Sequence, residues 1–134
     1  MEKEHFYVKL VGWIFDTSTR KILIGKNPGD KNYSFLESDL HQDEELDTCL
    51  KRMVTEKTGY QVHNLGSMYA ENKLQDPTKL KIHFLCEIAG GKMKPGKNVE
   101  EMIWIEPKEV ENKLGVKLPS RLHATLMNLQ GNSL

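Results

Sequence analysis

The segment over residues 46–58 (LDTCLKRMVTEKT) constrains this chain more than any other, because its apolar residues recur at helical spacing. Leu46, Cys49, Leu50, Met53 and Val54 form one apolar stripe. Asp43, Glu44, Glu45 and Asp47 crowd its start, where acidic groups suit the positive end of the helix dipole. Gly59 supplies a stop, since glycine takes the left-handed conformation that ends many helices. A helix with one apolar stripe must lay it on another layer of structure, and the segments around it read as strands.

Residues 5–15 (HFYVKLVGWIF) are rich in aromatic and β-branched side chains and read as a strand. A turn over 16–20 and a return strand over 21–25 follow. A second turn is expected at 27–32, then a short extended piece at 33–36 and a polar, acidic loop to about residue 45. Residues 62–70 and 80–88 read as strands separated by a turn at 75–78. A loop at 90–96 (GGKMKPG) leads to a short final strand at 101–105 around Trp104. A helical turn is expected at 107–110, and a second helix over 120–129 carries Leu122, Leu126 and Leu129 on one face. The order is strands, helix, strands, helix, which predicts the α/β class with a mixed sheet covered by helices. No repeat, low-complexity tract or linker interrupts the chain. Its 134 residues are read as a single domain over 1–134, long enough for a core without staples.

Composition narrows the function classes. Lys plus Arg and Asp plus Glu are both 19, so no global field draws nucleic acid, and a polyanion must be met by a local cluster. Cys49 and Cys86 lie in apolar segments without metal-ligand or disulfide-framework spacing and read as reduced core thiols. The charged residues 1–5 lack the apolar centre of a signal peptide, and no apolar run approaches the roughly 18–20 residues that cross a bilayer. The expected location is cytoplasmic, away from the membrane.

Residues 36–60, LESDLHQDEELDTCLKRMVTEKTGY, resemble a Nudix box, whose pattern is G-x5-E-x7-R-E-U-x-E-E-x-G-U with U a bulky aliphatic residue. Ser38 stands at the first glycine and Glu44 at the first glutamate. Arg52 follows at the required distance. Met53 occupies the next glutamate position, Val54 the aliphatic one, and Glu56 and Lys57 the paired glutamates; Gly59 and Tyr60 close the box. Tyr33-Ser34-Phe35 before it, and Glu100 and Glu101 before Ile103-Trp104-Ile105, resemble the family's flanking segments. The resemblance implies a Nudix-like α/β/α sandwich with a mixed β-sheet flanked by helices. It implies a nucleotide-type small-molecule ligand and hydrolysis of a nucleoside diphosphate linked to another group, with Mg or Mn as cofactor. It also implies Glu44, Arg52 and Glu56 as candidate catalytic residues and, since family members often form dimers, a homodimer.

The chemistry of that reaction sets a test. Adjacent phosphates carry several negative charges, so a hard divalent cation must neutralise them and activate water, and such cations prefer carboxylate oxygens. Of the three helix glutamates in the pattern only Glu56 remains. Met53 offers no hard oxygen and extends the apolar stripe. Lys57 brings an ammonium that repels a dication and is expected to pair with Glu56, Glu44 or another acid. A rewired metal site would use Glu56 with Glu100 or Glu101, and Glu37, Asp39, Asp43 and Glu45 add acids nearby. Glu44 and Arg52 read first as a charge-assisted pair that holds the loop on the helix. His41 reads as an incidental surface residue, and His83, alternating in KLKIHFLCEI, as facing solvent or the second layer. Lys92, Lys94 and Lys97 read as solvated, and Phe6, Trp13, Tyr69 and Trp104 as core rather than base-stacking residues. The preferred reading is a pyrophosphohydrolase-like protein with impaired metal-dependent hydrolysis; the alternative is a non-catalytic nucleotide- or protein-binding module.

Overall fold

The computed structural model describes residues 5–96 and 98–131. The charged residues 1–4 and Lys97, both read above from sequence, lie outside that range. Strand β1 (Tyr7–Asp16) carries LVGWIF at 10–15, apolar or glycine at every position. A strand alternates its side chains between two faces, so such a run requires cover on both. The sheet supplies it. One edge of β1 pairs in parallel with β5 (Asp76–Gly91), from Tyr7 opposite Lys79 to Phe15 opposite Glu87. The other edge is shared: β3 (Leu36–Asp39) pairs antiparallel with its first half and β2 (Lys21–Lys26) with its second. Outside these, β6 (Glu101–Ile105) joins β2 and β4 (Tyr60–Lys73) joins β5, giving a six-stranded mixed sheet in the order β4-β5-β1-β2-β6 with β3 beside β1.

Helix α1 (Leu46–Thr58) covers one face. Its Cys49, Leu50, Met53 and Val54 meet Leu10, Ile14, Leu23, Phe84 and Cys86. The other face carries Val11, Trp13, Phe15, Ile22 and Ile24, covered by α2 (Val110–Leu114) and α3 (Ser120–Gln130) through Val110, Leu114, Leu122 and Leu126. A 3-10 turn at Pro107–Glu109 precedes α2. The result is an α/β/α sandwich. Gly12 lets α1 lie close to the sheet, for a Cβ there would already touch Val54, Met53 and Leu50 at 3.5–3.8 Å. Leu50 is fully buried between the layers, and Leu50→Ala would cost about 2–5 kcal/mol. Both cysteines are buried and unbridged. Among the described residues no helix is long and apolar enough to cross a membrane.

Three local readings change. The acidic stretch after Leu36 is strand β3 rather than loop, because its backbone pairs residue by residue with Lys9 to Gly12. The β4–β5 hairpin is longer than its apolar parts, turning at Leu74 and Gln75 with Pro77 already in β5 beyond an irregularity in pairing. The 92–96 segment is not a free turn. Lys94 N–H donates to the Thr58 carbonyl (2.7 Å) and Gly96 N–H to that of Lys57 (2.9 Å), satisfying acceptors that the end of α1 leaves open.

That docking needs glycine at 96, where a Cβ would fall 1.7 Å from the Glu56 carbonyl oxygen. Gly96→Ala is expected to lower stability by about 1–3 kcal/mol in urea denaturation. An unchanged midpoint would mean that the segment is not seated on α1.

Candidate functional site

Strand register assembles the site. Across the face opposite α1, Glu37 on β3 stands opposite Val11 on β1, Val11 opposite His83 on β5, and His83 opposite Tyr69 on β4. Two residues along, the corresponding row is Asp39, Lys9, Lys81 and Glu71. The rows interlock: Lys9 lies 3.3 Å from Asp39 and 3.9 Å from Glu37, and Lys81 3.6 Å from Glu37. Above them is a cleft of about 250 Å³. Its floor includes Val11, Glu37, Glu71 and His83, and the segment between α2 and α3, with Val116 and Leu118, forms a wall.

His83 is buried at 4 % exposure, which settles it in the second layer rather than in solvent. The cause is β5's place between β4 and β1, with cover on both faces. Trp13 Nε1–H donates to His83 Nδ1 (3.1 Å), and His83 Nε2 meets Glu71 Oε2 at 3.0 Å. Indole nitrogen can only donate, so Nδ1 must be the acceptor, and the proton sits on Nε2 facing the carboxylate. Burial pushes the His83 pKa down, in spite of Glu71 beside it. Trp13 is stacked on Phe35 with centroids 4.4 Å apart and belongs to the core. Trp104 is half-buried, edge-on to Tyr60. Tyr69 is half-buried beside His83, whereas Phe6 is exposed rather than core.

The box residues on α1 divide into two groups. Arg52 grips Glu44 with two bonds, Nε to Oε2 at 2.8 Å and Nη2 to Oε1 at 2.5 Å, and its Nη1 reaches both oxygens of Glu56 at 3.3 Å. Hydrogen bonding to Arg52 pulls the Glu44 pKa down to about 2, and Arg52 is raised in turn. This joins the loop before α1 to the helix, as the pair was read from sequence. His41 is exposed, and its carbonyl accepts the Glu44 N–H. Glu101 accepts the Tyr33 hydroxyl at 2.6 Å, which raises the tyrosine's pKa, and the exposed Glu100 donates its N–H to the Lys26 carbonyl. Glu44, Arg52 and Glu56 therefore stand together, with Glu100 and Glu101 on a separate segment.

Met53 and Lys57 stand where the resemblance places two of the three helix glutamates. Met53 is 2 % exposed, inside the core against β1. Lys57 is half-buried, and its Nζ donates to the backbone carbonyl of Glu37 at 2.6 Å, not to Glu56 or Glu44. Burial lowers its pKa, while the nearby carboxylates of Glu37 and Asp39 oppose that shift. Beside it, Ser38 Oγ is buried without a hydrogen-bond partner among the described residues. Magnesium and manganese prefer carboxylate oxygens, and an ammonium on this face repels them. Among the described residues no three His, Cys, Asp or Glu side chains gather in a metal-binding group. The donor set on α1 does not fit a dication held through positions 53, 56 and 57.

Glu44 gives a pH signature. Its folded pKa of about 2 lies below the ordinary 4.5, so its pairing stabilises fully above pH 4.5 and is lost as pH falls toward 2. Melting temperatures at pH 5 and pH 3 should therefore differ less in Glu44→Gln than in the unaltered protein. Equal differences would mean that the pair contributes nothing to stability.

No family model matches the sequence, and none of the curated proteins does. Solved structures do match. A Nudix hydrolase from Nitrosomonas europaea superposes with a TM-score of 0.79 at 13 % identity, over 95 % of this chain and 73 % of the other. An ADP-ribose pyrophosphatase from Streptococcus suis gives 0.73 at 18 % identity, over 95 % and 94 %. A MutT protein from Methanosarcina mazei Go1 gives 0.70 at 14 % identity, over 96 % of each. Identities this low speak for architecture, and the strand order and helix placement agree with them: the chain has the Nudix fold.

Proposed function

We propose that this chain binds a nucleotide-type ligand in the cleft over β1 and β5, and that metal-dependent hydrolysis of nucleoside diphosphate compounds is impaired in it. The observation that carries this reading is Lys57, whose ammonium takes the Glu37 carbonyl on the helix face that the motif reserves for acids. A dication would bring two charges and a polarised water to a diphosphate. A lysine brings one charge and three N–H donors and activates no water. Nucleotide chemistry is supported by the cleft's mixture of apolar walls with Lys73, Lys81 and Lys117, and by the likeness to an ADP-ribose pyrophosphatase.

A second reading keeps the enzyme, with Glu56 and Glu100 or Glu101 as a rebuilt metal set. It is favoured by the 92–96 segment, which passes the Glu56 carbonyl on its way to those acids. A release assay for phosphate or nucleoside monophosphate, over a panel of nucleoside diphosphate compounds with magnesium or manganese, separates the two. The binding reading expects no metal-dependent turnover, together with ligand binding in the presence of EDTA. Turnover that Glu56→Gln abolishes would overturn it. Lys57→Glu should create manganese binding by calorimetry, because it returns a carboxylate to the face that carries Glu56. No gain in the folded variant would mean that position 57 does not face a metal position.

A further inference from the structure

The cleft contains one acceptor that its own lysines do not hold. Glu37, the other carboxylate in the cleft, is flanked by Lys9 and Lys81. Glu71 is held instead by a hydrogen bond from a neutral imidazole, His83 Nε2 to Oε2 at 3.0 Å, and its side chain is only 15 % exposed. His83 has no freedom to turn away: Trp13 occupies its other nitrogen, and Tyr69 and Phe35 pack around the ring. This chain of contacts fixes a carboxylate that lines the cleft, and its Oε1 accepts no hydrogen bond from another described residue. Such a group recognises donors and rejects acceptors, because a buried acceptor facing another acceptor stays unpaired.

Resting on the nucleotide-binding reading above, we propose that Glu71 selects the base of the ligand, with His83 as its positioning residue, and that the base is of the guanine type. A guanine edge offers two adjacent N–H donors, at N1 and the 2-amino group, which a carboxylate can accept side by side, Oε2 through the lone pair that His83 leaves unused. The matching edge of adenine places a ring-nitrogen acceptor there. Hypoxanthine keeps the N1 donor and lacks the amino group, so it should fall between them. The cleft's size agrees with one base: about 250 Å³ lies just below the roughly 300–1,000 Å³ of sites for drug-sized ligands. Val11, Phe35 and Leu118 supply the apolar surfaces against which a flat ring packs, and Lys73, Lys81 and Lys117 supply charge for its phosphates.

The test is calorimetric titration of the intact chain with GDP, IDP and ADP at pH 7.5 in EDTA. GDP should bind at least about tenfold more tightly than ADP, the scale of one good bidentate base contact, with IDP between. Glu71→Gln should reverse the order, because with its amide oxygen held by His83 Nε2–H the NH2 meets the guanine N1–H donor against donor, whereas it can donate to the adenine ring nitrogen. A merely structural role for Glu71 would weaken all three nucleotides alike. His83→Gln should shrink the preference for GDP over ADP. Equal binding of the three by the unaltered protein would overturn the assignment of Glu71 and leave nucleotide binding standing. An unchanged order in a folded Glu71→Gln variant would also overturn it. Failure of all three to bind would sink the nucleotide reading and this inference together.

Discussion

The parallel pairing of β1 with β5 fixes where the rest of the molecule can go. It places β1 inside the sheet, so Leu10 and Ile14 must find one layer and Val11, Trp13 and Phe15 another. Helix α1 and the α2–α3 pair are those layers. The same register sets Val11 beside His83, while β3 on the far edge sets Glu37 beside Val11. A slip of one residue would turn every side chain of β1 to the opposite face. Trp13 would leave His83 for the core under α1, and the floor of the cleft would disperse. Core packing and site geometry are thus one constraint, enforced by burial on both sides of a single strand.

The architecture of helix α1 and the acids that the Nudix pattern places on it depend on different residues. Glu44 and Arg52 clamp the loop to the helix, Gly59 closes it in the left-handed conformation, and the 92–96 segment satisfies its last carbonyls. None of these tasks requires a metal. Met53 sits on the buried side and adds apolar contact, and Lys57 reaches along the helix edge to a backbone oxygen of β3. Met53 and Lys57 each serve the fold at a position where the Nudix pattern has a glutamate.

What the sequence disclosed follows from which forces are local. The stripe at 46–58, the apolar run of β1 and the leucines of α3 could be read because each shows one burial period within a short window. The bidentate grip of Arg52 on Glu44 was legible too, through motif spacing. Strand β3 was hidden: Glu37, Ser38 and Asp39 are polar, and only pairing with β1 makes them a strand. The length of the β4–β5 hairpin was hidden for the same reason, since its polar half is held by backbone bonds rather than by apolar burial. Glu71 carries no local signal, because its contact with His83 depends on which strands lie side by side. His83 and Glu71 are twelve residues apart and meet across a hairpin, whereas His83 and Trp13 are seventy apart and meet across a parallel pair. A histidine inside an otherwise β-rich run, next to a segment able to form a central strand, was the available signal.

Lys57 connects the altered helix to the cleft by a physical route. Its Nζ is bound to the Glu37 carbonyl, and the Glu37 side chain lies between Lys9 and Lys81, across the sheet from Glu71. Lys57 does not line the cleft; it touches the cleft's floor only through the backbone of Glu37. Helix α1 and the cleft lie on opposite faces of the sheet and share strand β3. A change at position 57 therefore reaches the cleft through the position of Glu37, between Lys9 and Lys81.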